Sequence, residues 1–422
     1  MKVMWITAMG LSEDIINGDM SSVNGSGGWI GSTLFWLREN PMIEKMAIIT
    51  IQPSYQNEIF TKDKLVVYKL RGKTVCLFEQ NSLYQSIQDA IFKEEPDIID
   101  VQGIEFEFSD YVSKMNGIKS PIIYTLQGLV SETNSAYKKI RGLGKLLLQR
   151  SWFDVKRGKG DLEKLFMLHI RGRKSIEILK RASYVTGRTA WDKEVALNYN
   201  PELHYYHVDR ILRPEFYECE TWNLSHIRRC SIYVPQVSTL LKGGHLLLDI
   251  VSLLKEKYPE LMVWIPGEAI DKKETNQLRG YEKYLLKKIE KKGLKEYIKF
   301  TGSLNATQIA KILTYTNVFL QTSFLENSSN ALAEAQILGV PCVASSVGGT
   351  PTYIKNRETG ILFESGNAAE AAKAIEMVFE NDTIALQLSN NARNKALWRQ
   401  DRKRNIQALV NTYHDVIQAI RQ

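Results

Sequence analysis

Short apolar runs recur along this chain, and stretches with helical spacing separate them. Residues 3–7, 46–51, 98–101, 122–126 and 184–186 form one set, and 232–234, 262–265, 298–301, 318–321 and 342–345 form another. Strands that are apolar along their whole length are buried on both faces, and helical crossovers between parallel strands supply that cover. The rhythm therefore predicts an α/β fold with two doubly wound, Rossmann-like domains facing each other across a cleft. Ile211-Leu212-Arg213-Pro214-Glu215-Phe216-Tyr217 lies between the two sets and reads as the linker, which sets the first domain at 1–212 and the second at 213–400. A chain of 422 residues has room for two such domains.

The run Phe324-Leu325-Glu326-Asn327-Ser328-Ser329-Asn330-Ala331-Leu332-Ala333-Glu334-Ala335 follows one of these strands and holds two carboxylates, Glu326 and Glu334. Asn327 or Ser328 can cap a helix that stops at Gly339, which leaves Glu326 just ahead of the helix and Glu334 inside it. At a rise of about 1.5 Å per residue the two acids would stand roughly 10–12 Å apart, near the span from a sugar ring to the ribose of a sugar nucleotide. The N–H groups of the first turn between them suit a diphosphate. Gly339-Val340-Pro341-Cys342-Val343-Ala344-Ser345 then makes a turn and a second strand, and Gly348-Gly349-Thr350-Pro351 a glycine loop that permits close approach of a ligand. Glu326 and Glu334 by themselves could be two solvated acids on an amphipathic helix. The βαβ continuation favours a site, because such units bind ligands at the carboxyl ends of their strands.

Glu326 through Glu334, the Gly339-Val340-Pro341 turn and Gly348-Gly349 together resemble the signature of the retaining family 4 (group 1) glycosyltransferases of GT-B fold, in their bacterial surface-polysaccharide form. The resemblance is close from about residue 232 onward and loose before it. It implies that Glu326 touches the donor sugar and Glu334 holds the ribose, with Asn327, Ser328, Ser329 and Asn330 among the donor contacts. Lys242, in Lys242-Gly243-Gly244, matches the family's basic residue that neutralises the donor diphosphate. Gly267, after the strand at 262–265, joins the donor contacts. Gly27 and Gly28, in the loop Asn24-Gly25-Ser26-Gly27-Gly28-Trp29-Ile30-Gly31, approach the diphosphate from the first domain. The resemblance also implies that the segment 401–422, with Ile406, Leu409, Val410, Tyr413, Val416, Ile417 and Ile420 at helical spacing, returns as a helix to the first domain.

The chain departs from the family's pattern in two places. Pro235-Gln236-Val237 stands where an arginine is usual, and Arg188, in Thr186-Gly187-Arg188-Thr189, is a candidate to supply that charge. Gln102 and Gln127 stand where family members often carry histidine. An amide hydrogen-bonds a sugar hydroxyl as donor and acceptor but takes no proton near neutral pH, so Gln127 belongs at the catalytic centre beside Glu326 and Lys242 as a positioning group. The glycine loop at 24–31 could also belong to a nicotinamide fold, or be a flexible turn. The nicotinamide reading needs an acid at the end of the next strand, and Ile51-Gln52-Pro53 has none.

No metal is expected. His204 and His207 have no third ligand nearby, no Asp-x-Asp motif occurs, and Lys242 with helix N-termini would replace the cation. No cofactor is expected beyond the nucleotide sugar, which is a co-substrate. Cys76, Cys219, Cys230 and Cys342 are scattered without metal or disulfide spacing, as in a reduced cytoplasmic protein. The chain contains no run of about eighteen apolar residues that would cross a membrane, and its start reads as a strand rather than as a leader.

Between 137 and 181 fourteen Lys and Arg residues face four acids, whereas the whole chain has a net charge of only +8. Leu143, Leu146, Leu147, Leu148, Trp152 and Phe153 are interleaved with the bases. That mixture suits peripheral contact with an anionic membrane, against the alternatives of a solvated helix face or nucleic acid. No nucleic-acid motif accompanies it. The resulting expectation is a cytoplasmic transferase, at the inner face of the membrane, that moves a sugar from a nucleotide-sugar donor to a saccharide or lipid-linked saccharide. Two alternatives stay open at this stage: a sugar-nucleotide epimerase on the same fold, and a catalytically weak binding partner of another transferase.

Overall fold

The computed structural model describes residues 1–11, 15–16, 28–76, 79–157 and 160–421. Among them the strands form two sheets. The first contains β1 (Lys2–Thr7), β2 (Lys45–Gln52), β3 (Glu58–Lys62), β4 (Leu65–Arg71), β5 (Ile98–Gln102), β6 (Ile122–Thr125), β7 (Tyr184–Gly187) and β8 (His204–His207), in the order β3-β4-β2-β1-β5-β6-β7-β8. Only β3 runs antiparallel to its neighbour. The second contains β9 (Arg228–Tyr233), β10 (Met262–Pro266), β11 (Ile298–Gly302), β12 (Thr316–Gln321), β13 (Cys342–Ser345) and β14 (Ile361–Phe363), all parallel, in the order β11-β10-β9-β12-β13-β14. The central strands are buried on both faces, as their unbroken apolar runs require. Each order reverses once, at β1/β5 and at β9/β12, and those switch points are where a doubly wound sheet opens a crevice.

Four strands carry no signal of the kind used above. β3 and β8 are edge strands with mostly exposed, polar side chains, and an edge needs no continuous apolar face. β4 is interrupted by Lys69, and β14 is only three residues long. His204 and His207 open and close β8, three positions apart, so they point to opposite faces of the sheet and cannot form a ligand pair.

The chain divides into two compact units, 1–131 with 171–214 and 400–422, and 132–170 with 215–399. The division after the first sheet, at 214/215, falls inside the expected linker and two residues past the expected boundary, but the segment 132–170 groups with the second unit instead of the first. Asp154 explains the attachment. Its carboxylate accepts from the Ser151 N–H at 3.0 Å and from the Gly280 N–H at 2.6 Å, at the start of the helix Gly280–Lys291. Gly280 has to be glycine, because a Cβ there would lie 1.9 Å from the Gln149 carbonyl oxygen. The basic stretch is therefore split: the short helices Thr133–Lys138, Leu143–Leu147 and Trp152–Arg157 lie in the second unit, and the helix Asp161–Arg181 spans the division.

In the first unit the helix Arg402–Arg421 is joined to the sheet by buried polar groups. Tyr413 donates its hydroxyl proton to Asp100 at 2.5 Å and accepts from the Trp5 indole N–H at 2.8 Å. All four cysteines are free thiols.

Candidate active site

The turn after β9 and the loop after β12 meet at the second switch point. Leu240–Lys242 forms one turn of 3-10 helix, and Gly243 follows with φ 71°. A Cβ on Gly243 would stand 2.1 Å from the Thr322 carbonyl oxygen, so the backbone of the β12 loop passes where any side chain would be. Two hydrogen bonds close the gap: Thr322 Oγ1 donates to the Lys242 carbonyl at 2.9 Å, and the Phe324 N–H to the Leu241 carbonyl at 2.7 Å.

That stitching brings Lys242 onto Glu326. Lys242 Nζ donates to Glu326 Oε1, and Ser323 Oγ donates to the same oxygen at 2.7 Å. The loop is fixed from the third strand as well, since Ser345 Oγ donates to the Ser323 carbonyl at 2.5 Å and the Gly349 N–H to the Glu326 carbonyl at 3.0 Å. Glu326 is thus held by loops after β9, β12 and β13. The pair remains at the surface, with 31% of the Lys242 side chain and 12% of Glu326 exposed.

The helix beyond it runs Asn330–Leu338 and ends on Gly339, whose φ of 81° closes the C-terminus. Its cap is Ser329, which accepts from the Leu332 N–H, one or two residues later than the expected Asn327 or Ser328. Ser329 takes that role because its own backbone is extended, the conformation a cap requires. Glu326 lies ahead of the helix and Glu334, buried, lies inside it. The residues 327–329 between them are loop, so the rise of about 1.5 Å per residue applies only from Asn330 onward. Asn327 is buried, and the buried Ser328 hydroxyl has no hydrogen-bond partner among the described residues. An unsatisfied hydroxyl between two carboxylates is what a polar ligand would complete.

Gly267 follows β10 with φ 102°, and its N–H donates to the Gly302 carbonyl at 3.0 Å. A Cβ at either glycine would meet open space.

The remaining sequence-derived residues belong to the first unit. Gly28 is buried at the start of the helix Gly28–Arg38, while Gly27 lies outside the described residues. Gln127 follows β6 and is partly buried. Arg188 is buried after β7; its guanidinium donates to the Leu126 carbonyl and its backbone N–H to Asp192 at 3.0 Å. Gln102, buried, leaves its side-chain oxygen without a partner among the described residues. Arg188 and Gln102 line one cavity of about 30 Å³ with Asp100, Thr125, Thr186 and Asp209. Burial pushes the Asp100 carboxyl up to about 6, against the opposing pull of Tyr413, Thr125 and Arg188.

Sequence reasoning missed Thr322, Ser323 and Ser345, which hold Glu326, and Asp100, which anchors the last helix. Small hydroxyl residues near strand ends give no pattern of their own.

Solved structures share this architecture over the whole chain. Sucrose-phosphate synthase of Thermosynechococcus elongatus matches with a TM-score of 0.72 at 13% identity, covering 99% of both chains. Anabaena HepE in complex with UDP-glucose matches with a TM-score of 0.68 at 16% identity, over 98% of this chain and 99% of that one. Identities this low speak to fold alone, and the fold is GT-B, with two doubly wound, Rossmann-like domains in one chain.

The sequence adds a match to a family model over part of the chain. Residues 224–395, which make up most of the second unit, match the family of glycosyl transferases group 1. A D-inositol 3-phosphate glycosyltransferase of Pseudarthrobacter chlorophenolicus is 27% identical over 154 residues, 36% of this chain and 35% of that protein. The match thus spans about a third of the relative's length.

Proposed function

We propose that the protein is a retaining glycosyltransferase that moves a sugar from a nucleotide-sugar donor to a saccharide or lipid-linked saccharide, in surface polysaccharide synthesis. The observation that carries this reading is the Lys242–Glu326 pair, held by three strand-end loops directly before a helix that contains the buried Glu334. Glu334 would accept from the ribose hydroxyls and Glu326 from the donor sugar. Lys242, part-exposed beside Glu326, would turn to the diphosphate when a donor enters. The N-terminus of the helix Asn330–Leu338 adds its positive dipole end, so charge neutralisation is assigned to these groups rather than to a cation.

In the transfer, the acceptor hydroxyl oxygen bonds to the anomeric carbon on the face from which the diphosphate departs. The carbon–oxygen bond to the diphosphate breaks, and the departing oxygen takes the hydroxyl proton. Stabilising the charge that grows on the diphosphate is the main catalytic task, and Lys242 with the helix N–H groups performs it. Gln127 and Arg188, in the first unit, are assigned to positioning and to a second charge contact.

No helix among the described residues is long and apolar enough to cross a membrane. Contact with the inner membrane face is assigned instead to the basic stretch 137–181, through its part in the second unit. There Leu148, Trp152 and Phe166 are 74%, 78% and 61% exposed among basic side chains.

UDP-glucose, the ligand bound by HepE, is the first donor to test. Glu334→Ala should lower donor affinity about ten- to a hundredfold, the usual cost of a lost charge-assisted hydrogen bond. Calorimetry with a donor that wild type binds would detect this, and equal affinity in the variant would remove Glu334 from the site. Incubation of the same donor with and without membrane lipid extract separates transfer from isomerisation.

A further inference from the structure

A second, larger recess lies within the second unit, beside the reactive pair but not lined by it. Its volume is about 760 Å³, a size typical of ligand sites. The floor is aromatic: Phe324 stacks on His245 with ring centroids 5.4 Å apart, and Tyr284 stands nearby. Lys139, Arg141 and Lys145 rim it from the segment 132–170. None of these three side chains is in an ion pair among the described residues, whereas Lys288, also at the recess, is matched by Asp249 at 2.8 Å. The start of the helix Ala368–Glu380 also lines it. Asn367 caps the Glu370 N–H at 3.1 Å, and the N–H groups of Ala368 and Ala369 precede the first bond within the helix.

His245 gives the recess its chemical sense. It is 8% exposed, and its Nε2 has no partner among the described residues. The Tyr281 hydroxyl oxygen accepts from the His245 backbone N–H at 3.0 Å and lies 2.8 Å from Nδ1. With one proton to give, the hydroxyl donates it to Nδ1, so the neutral ring carries its own proton on Nε2. Burial pushes His245 down to about 4, which keeps the ring neutral near pH 7. A buried N–H without an acceptor, three unpaired bases and a helix N-terminus all present donors, and Glu364 alone opposes them with an unmatched charge. Donors converging on a recess with an aromatic floor fit an anionic group with several oxygens, attached to a sugar or apolar body.

We infer that this recess binds a phosphate group of the sugar acceptor, at a site separate from the donor diphosphate. The word acceptor rests on the glycosyltransferase reading; the phosphate site does not. Its position is suited to the task, because His245 lies three residues after Lys242 and Phe324 two before Glu326, so a phosphate held here keeps its attached sugar close to the reactive pair.

Inorganic pyrophosphate is the probe, titrated calorimetrically into the full chain carrying Lys242→Ala, which weakens the donor diphosphate site. Adding Lys139→Ala, Arg141→Ala and Lys145→Ala should weaken the remaining binding about tenfold or more. Unchanged pyrophosphate affinity would overturn the proposal. His245→Phe, which keeps the stacked ring and the net charge while removing Nε2–H, should weaken binding in the same direction. A melting curve confirms that it folds, and wild-type affinity in a folded His245→Phe chain would also count against the site. Flotation with phosphatidic-acid vesicles then identifies the source: a loss in His245→Phe indicates a lipid-borne phosphate, and unchanged flotation with weaker glucose 1-phosphate binding indicates a soluble one. Donor affinity through Glu334 is a separate titration, so either reading can fail without the other.

Discussion

The two switch points handle charge in opposite ways. At β9/β12 the loops are stitched by the Thr322 hydroxyl and the Phe324 N–H on backbone carbonyls, and the result is a part-exposed ion pair, Lys242 with Glu326. At the carboxyl ends of β5, β6 and β7 the polar groups are buried instead. Asp100, Gln102 and Arg188 line a cavity of about 30 Å³, and Gln102 Oε1, Arg188 Nε and Asp209 Oδ1 lack partners there. A volume of that size admits water and little else. The second unit therefore keeps charge part-exposed for a ligand, while the first keeps it buried, with Asp100 anchoring the last helix. Mutations should separate the two: at the first switch point they should change how stability depends on pH, and at the second they should change donor binding together with stability.

The largest expected effect comes from Gly243→Ala. The new Cβ would meet the Thr322 carbonyl oxygen at 2.1 Å, and the residue sits at φ 71°, which alanine resists. Backbone strain and overpacking together should cost about 3–5 kcal/mol. Because the clash is with backbone, the loops after β9 and β12 must part, and donor binding should fall along with stability. Urea denaturation and donor titration check both. A variant that keeps wild-type stability would show that the two loops are not rigidly joined.

Next is the pH response of the first unit. The folded pKa of Asp100, about 6, lies above its ordinary value of 3.8. At pH 7 the folded state therefore holds an unfavourable buried charge. As pH falls through about 6 the folded state takes up the proton first, and stability rises until the unfolded chain is protonated as well. The gain between pH 7 and 4 should be about 2–2.5 kcal/mol from this group. Subtracting the pH profile of Asp100→Asn from that of wild type isolates it. Parallel profiles would mean that the Tyr413–Asp100 contact does not depend on the proton.

The same contrast explains what could be read from the sequence. The βαβ segment from Val318 to Pro351 is contiguous, so a strand, an acid, a helix and a glycine loop announce themselves within one stretch, and Lys242 is marked by its glycine turn. The network joining Trp5, Asp100 and Tyr413 draws on three distant parts of the chain, with sequence separations of 408 and 313, and no local period reveals it. The helix cap was misplaced because 327–330 offers four consecutive residues able to cap, and backbone conformation alone selects Ser329. The segment 132–170 was assigned to the wrong neighbour for a related reason. Its tether is one carboxylate, Asp154, on the N–H of a glycine 126 positions away.

The smallest expected effect tests whether the basic stretch is divided in function as it is in structure. In its first-unit part three of the five bases are in ion pairs: Lys174 pairs with Glu107 at 2.7 Å, Lys180 with Glu177 at 2.9 Å, and Arg181 lies 3.6 Å from Asp110. In its second-unit part Lys156 and Arg157 are exposed and in no ion pair among the described residues, and the Arg157 guanidinium stacks over Phe153 at 4.5 Å. Trp152, one residue before Phe153, is 78% exposed, so apolar and basic groups are offered together, as an anionic bilayer surface requires. Lys156→Ala with Arg157→Ala should weaken binding to anionic vesicles by about 2 kcal/mol at low salt, near 1 kcal/mol for each base. The loss should shrink as salt rises, because exposed charges are screened over about 10 Å at 0.1 M. Lys174→Ala should leave vesicle binding as it was and instead lower stability, by exposing the need of buried Glu107 for a partner. Equal flotation of wild type and the double variant would make the segment an ordinary solvated face. Equal losses from Lys156→Ala/Arg157→Ala and from Lys174→Ala would show that the stretch acts as one basic surface, with no functional boundary at residue 170.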